Sequence, residues 1–257
     1  MKLSSRKNEF EDDGNAIRHL DGSSLSRPFE VPRNLRFMMA GFVVVGAIIG
    51  VIFLAGFIDE MVNAPQREIE ATQENLAREV DYGTPILPSL VGLDDASIMG
   101  VYADAGFTIY DLNSANAEGA GLDIIRLPEG ISVVDAGLMY SQGVSNLSSS
   151  DAARLLNGSW RLTVGRSGYI DMTTRYADFT SGSAETAIQN AIAQQGLAES
   201  SMGEAGVDNA GNTFQAGSVV IGDVGYNWRI SACALSEVYS VDGLPSDAIY
   251  VGIRMYQ

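Results

Sequence analysis

Lysine and histidine are missing from most of this chain. Of its 257 residues, both lysines (Lys2 and Lys7) and the single histidine (His19) lie before residue 20. The remainder therefore cannot assemble a Ser-His-Asp or Cys-His arrangement, a Ser-Lys dyad or a Schiff base. Cysteine is as scarce. Cys233 stands alone, which excludes an intrachain disulfide and any zinc site made from several cysteines and histidines. Charged residues make up only 19%, below the roughly 25% of ordinary soluble proteins, and they are mostly acidic. Sixteen basic against thirty-two acidic residues give a net charge of −16. No nucleic-acid partner is expected, because nothing here could neutralise a run of phosphates. A wholly disordered chain is excluded as well, since 46% of the residues are apolar.

One long apolar run is present. Phe37 to Ile58 reads FMMAGFVVVGAIIGVIFLAGFI, with no charged residue, Asn, Gln, Ser or Thr. As a helix rising 1.5 Å per residue it would be about 33 Å long, enough to cross a bilayer core of about 30 Å. A signal peptide fits less well, because the run is longer than an h-region and begins well inside the chain. The expectation is a retained transmembrane helix meeting the lipid bilayer through residues 37–58. Arg27, Arg33 and Arg36 precede it and only Arg67 follows closely. The positive-inside bias then places the N-terminus in the cytoplasm of a bacterium and the C-terminal part outside the cytoplasmic membrane. Gly46 and Gly50 form a GxxxG, a candidate packing face for a homodimer.

The charge divides unevenly around this run. Residues 1–36 carry seven basic and six acidic side chains without periodicity and read as a disordered cytoplasmic tail, whereas residues 59–257 hold nine arginines and twenty-six acidic residues. Residues 59–81 contain a helix opened near Pro65, with Ile69, Thr72, Leu76 and Val80 on one stripe, and are expected to form a short juxtamembrane stalk. Residues 82–257 read as an extracellular α+β domain. Asp94 or Asp95 caps a helix through Tyr102 or Asp104, and Ser148 to Asp151 caps another ending at Leu156. Ser159–Val164 and Tyr169–Ala177 form a hairpin, and Ala184, Ala187, Ile188, Ala191 and Ile192 lie on one helical face ended by Gly196. Residues 198–216 read as a mobile loop. Strands follow near Ser218–Ile221 and Tyr226–Leu235, and Ile249, Val251, Ile253 and Met255 mark a closing strand. The expected fold class is thus an α+β extracellular domain on a single transmembrane helix with a short juxtamembrane helical stalk.

No spacing picks out a catalytic pair, a metal site or a cofactor site. A carboxylate-dependent hydrolase is conceivable from the abundance of acids alone, but a non-enzymatic domain is the leading expectation. Asp208-Asn209-Ala210-Gly211-Asn212 lacks the spacing of a calcium loop and reads as a polar turn. Cys233 reads as a small buried apolar residue, the alternative being an intermolecular disulfide. Tyr140, Trp160 and Tyr169 are the candidate ligand-contact aromatics.

Leu87-Pro88-Ser89-Leu90-Val91-Gly92-Leu93-Asp94-Asp95-Ala96, followed by Ala105-Gly106-Phe107, resembles the opening of a PASTA domain. The stretch 158–164, Gly-Ser-Trp-Arg-Leu-Thr-Val, is similar to that family's closing strand. The resemblance spans residues 87–107 and 158–164, and no tandem copies follow. It gives Pro88, Gly92 and Gly106 the part of turn-formers and implies binding to a cell-wall polymer. The functional expectation is a membrane-anchored envelope protein with an external binding domain for a cell-wall polymer or another envelope protein. The alternative is a structural subunit of a larger membrane complex.

Overall fold

The computed structural model describes residues 60–112, 121–166 and 168–257, together with Ile49 and Phe53. Four of its helices begin in the same way, with a short polar side chain accepting a backbone N–H three residues on. Asp94 accepts from Ser97, Ser132 from Asp135, Ser148 from Asp151 and Ser183 from Thr186. Each cap satisfies a donor that the first helical turn leaves free. The helices are α1 (60–77), α2 (Leu87–Leu90), α3 (Asp95–Asp104), α4 (Val133–Gln142), α5 (Ser149–Leu156), α6 (Ala184–Gln194) and α7 (Leu235–Val238). Gly106 ends α3 at φ +82°, and the Phe107 N–H reaches back to the Tyr102 carbonyl at 3.0 Å. Only glycine adopts that left-handed turn without strain.

Eight strands form one antiparallel sheet: β1 (Ile109–Asp111), β2 (Leu122–Arg126), β3 (Trp160–Gly165), β4 (Asp171–Asp178), β5 (Ser201–Val207), β6 (Thr213–Ile221), β7 (Val224–Ala234) and β8 (Ile249–Tyr256). Their order is β1-β2-β3-β4-β8-β7-β6-β5. The last strand in the chain thus lies at the sheet's centre, between β4 and β7.

Alternation along the strands gives the sheet two faces. On one, Ile124, Leu162, Thr174, Ile253 and Ile230 form a single cross-strand row. All five are buried, beneath Ala187, Ile188, Ala191 and Ile192 of α6, with α2 and α3 completing this core. On the other face a smaller core gathers Leu127, Ala136, Leu155, Leu156, Ala177 and Leu235 under α4, α5 and α7.

The expected fold class is corrected here. Among the described residues no helix is long and apolar enough to cross a membrane, and the chain's architecture is an antiparallel eight-stranded sheet with short helices. The longest helix among the described residues, 60–77, carries Glu60, Arg67, Glu68, Glu70 and Glu74, so lipid cannot surround it. The transmembrane and single-pass assignments are withdrawn with it. Residues 37–58, including Gly46 and Gly50, lie outside the described residues apart from Ile49 and Phe53.

Nor is α1 a free stalk. The Glu68 carboxylate accepts from the Ser150 N–H at 2.7 Å and the Ser149 hydroxyl at 3.1 Å, at the start of α5. Thr72 bonds Ser149 at 2.8 Å, and Asn75 donates to the Ser150 carbonyl at 3.0 Å. The backbone bond from Ser150 is the main reason that the Glu68 carboxyl lies below its usual range. Of the expected stripe, Thr72 is buried and Leu76 and Val80 are half-buried, while Ile69 is 51% exposed. Residues 198–216 are corrected too, because they contain β5 and the start of β6.

Candidate functional site

Small residues on α4 leave a space above the sheet. Val133, Ala136, Gly137 and Tyr140 recur at i, i+3, i+4 and i+7, which places them on one helical face. All four line a pocket of about 440 Å³ on the sheet's second face. A helix lying on a sheet usually fills this position with large side chains, and of α4 only Ala136 is buried.

The pocket floor is a cross-strand row, Tyr110, Ile125, Arg161 and Arg175, running from β1 to β4. Ala177 and Tyr250, paired across β4 and β8, lie one step along it. Tyr239, just past α7, closes one side. The Tyr239 and Tyr250 rings meet edge to face with centroids 6.0 Å apart.

Desolvation pushes the Tyr140 and Tyr250 hydroxyls up to about 12 and raises Tyr239 as well. A hydrogen bond with Ser159 and the Arg161 charge oppose the rise at Tyr140, while Arg161 and Arg175 oppose it at the other two. Although 38% of Tyr140 is exposed, its hydroxyl end is the part drawn into the pocket. At neutral pH all three phenols keep their proton and can donate a hydrogen bond.

The two arginines differ. Arg161 is held in a bidentate pair by Asp123, Nε to Oδ1 at 2.8 Å and Nη2 to Oδ2 at 2.5 Å. Those bonds raise its pKa further. Arg175 stands directly opposite Arg161 across the β3–β4 ladder. Among the described residues it has no ion-pair partner, whereas Arg254 is paired with Asp171 and Arg229 with Asp208. Among the described residues the lining contains no carboxylate, thiol or imidazole.

Of the aromatics singled out from the sequence, Tyr140 and Trp160 border this pocket and Tyr169 does not. Tyr169 lies between β3 and β4 and is 57% exposed. The Trp160 indole belongs to the α6-side core. Its Nε1 donates to the Tyr82 carbonyl at 2.9 Å, and its ring lies 4.8 Å from that of Tyr102. Arg161, Arg175, Tyr239 and Tyr250 were not singled out. Tyr250 alternates with the apolar residues of β8, which was the available sign that it faces the other side.

The remaining candidates serve the fold. Asp208 starts the β5–β6 turn, accepting from the Ala210 and Asn212 N–H groups at 2.9 and 3.0 Å and from Arg229 at 2.9 Å. Cys233 is half-buried opposite Tyr250, and burial pushes its thiol up. Among the described residues no group of three or more His, Cys, Asp or Glu is placed to hold a metal ion. Pro88 lies within α2, and Gly92 and Gly106 take positive φ at the turns flanking α3. Comparison of the chain with protein-family models, with curated proteins and with solved structures finds no match.

Proposed function

We propose that this chain is a non-enzymatic binding domain whose ligand occupies the pocket beneath α4. The observation that carries the reading is the placing of Ala136 and Gly137 over a floor that holds Tyr110, Ile125, Arg161, Arg175 and Tyr250. The space is built by small residues on a capped helix, and its volume falls in the range of small-molecule sites. Binding without turnover is supported by the lining, which among the described residues offers no carboxylate or imidazole to act as a general base. Its one aliphatic hydroxyl, Ser159, donates to the Leu156 carbonyl at 3.3 Å. The recess suits a compact ligand with an apolar body, held by aromatic contacts and oriented by phenol hydroxyls.

Chemical-shift mapping on the full chain with a neutral aromatic probe, 2-naphthamide, tests this. The amides of Ala136, Gly137 and Ala177 should move together in a saturable way. No shift, or shifts confined to residues away from α4 and the β3–β4 floor, would overturn the reading.

A further inference from the structure

Arg175 is a solvent-exposed arginine on the pocket floor. Like charges directly opposite on one sheet face repel, yet Arg161 and Arg175 occupy such positions. Asp123 neutralises the first, and among the described residues no carboxylate pairs with the second. Arg175 is also central, on β4, where its other cross-strand neighbour is Gly252, which adds no side chain to that flank. The pocket therefore combines apolar walls, three phenol donors and one guanidinium without a counter-ion, inside a segment whose net charge is strongly negative.

We propose that the ligand carries a single carboxylate, which pairs with Arg175 while its apolar body lies under Ala136 and Gly137. This rests on the pocket reading above and adds the ligand's charge. A guanidinium presents two parallel N–H groups that match a carboxylate in a bidentate pair. One uncompensated positive charge suits a monoanion. A phosphate monoester would bring nearly two charges and a third acceptor oxygen. The phenol hydroxyls of Tyr140, Tyr239 and Tyr250 supply neutral donors that a carboxylate can use and that do not lose their protons at neutral pH. The acidic remainder of the domain repels anions generally, so an anionic ligand gains selectivity from this local positive charge.

The test is calorimetry on the full chain with matched probes, 2-naphthoate and 2-naphthamide, which differ in charge but hardly in shape. The carboxylate should bind about tenfold more tightly, the value expected for one charge-assisted hydrogen-bonded pair. Arg175→Gln should remove that difference by weakening 2-naphthoate, and Arg175→Lys should retain part of it. Arg254→Gln, outside the pocket lining, should alter neither. Equal binding of the two probes, with 2-naphthamide still mapping to the pocket, would overturn the carboxylate and leave the pocket reading intact. Binding of neither would overturn both. Tighter binding of 2-naphthyl phosphate than of 2-naphthoate would overturn the choice of carboxylate.

Discussion

Replacing Gln195 by alanine removes both hydrogen bonds that tie the end of α6 to the segment entering α2. The side chain is only 2% exposed. Its Oε1 accepts from the Leu87 N–H at 2.8 Å, and its Nε2 donates to the Pro85 carbonyl at 2.7 Å. Pro85 and Leu87 are both buried, so the variant leaves a donor and an acceptor without partners away from water. Each such group costs about 1–3 kcal/mol. Water entering the space vacated by the side chain recovers part of this, which leaves a loss of about 3 kcal/mol. At about 2–4 °C per kcal/mol for a unit of this size, the melting temperature should fall by roughly 6–12 °C. Urea and thermal denaturation followed by circular dichroism measure both numbers. Gln195→Glu should do less harm near pH 4, where a protonated carboxyl can still donate to Pro85, than near pH 8, where it cannot. A Gln195→Ala chain within 0.5 kcal/mol of the parent would refute the reasoning, because the buried pair would then contribute nothing.

Three further outcomes follow from the same structure. Burial alone would raise the Asp178 carboxyl, but hydrogen bonds from the Ser181 and Thr180 hydroxyls and N–H groups outweigh it and hold the group below its usual range. A folded pKa below the unfolded one adds stability that is complete at neutral pH and fades as pH falls through the ordinary carboxyl range. Asp178→Asn should therefore cost about 1–2 kcal/mol at pH 7 and flatten the stability profile between about pH 5 and 3, as measured by urea titrations across that window. Glu68→Ala should cost about 1 kcal/mol, the worth of a helix cap. Hydrogen exchange over residues 68–77 should then speed up about fivefold, because α1 loses one of its bonds to α5. Tyr169→Ala should stay within about 0.5 kcal/mol of the parent and bind 2-naphthamide unchanged, since that ring lies outside the pocket.

Several elements were readable from local chemistry. Asp94 and Ser148 announce α3 and α5 because a capping side chain acts within three residues of its own position, and the apolar face from Ala184 to Ile192 announces α6. Ile249, Val251, Ile253 and Met255 announce β8 because one face of it is buried. Where burial gives no pattern, the reading fails. β5 is an edge strand exposed along its whole length, so Ser201 to Val207 show no alternation and resemble a loop. α4 was missed although Ser132 and Asp135 form its cap, because Val133, Val134 and Gly137 lower its helix propensity. The same Gly137 that obscures the helix opens the pocket.

The site was less legible than the fold. Tyr140 could be singled out as an aromatic, but its partners could not. Placing Tyr250 beside Ala177 and Arg175 requires β8 to insert between β4 and β7, a long-range pairing that no local spacing encodes. Trp160 was singled out for the same reason as Tyr140, and its parity along β3 sends its indole to the opposite face. The apolar run at 37–58 invited a fold built around a membrane helix, and nothing among the described residues supplies one. The PASTA resemblance rests on turn-forming residues around α3, and turns of that kind serve many folds.

The most direct test of the binding site is to fill it. Gly137 is exposed on α4, and a Cβ built there meets nothing within 4 Å. Gly137→Trp should therefore fold at least as well as the parent, by about 0.3–0.5 kcal/mol of helix propensity, while its indole occupies the pocket mouth. Titration of the full chain with 2-naphthoate should show saturable binding to the parent and a loss of at least tenfold in the variant, at an unchanged or higher melting temperature. Undiminished binding to a folded Gly137→Trp chain would contradict the account.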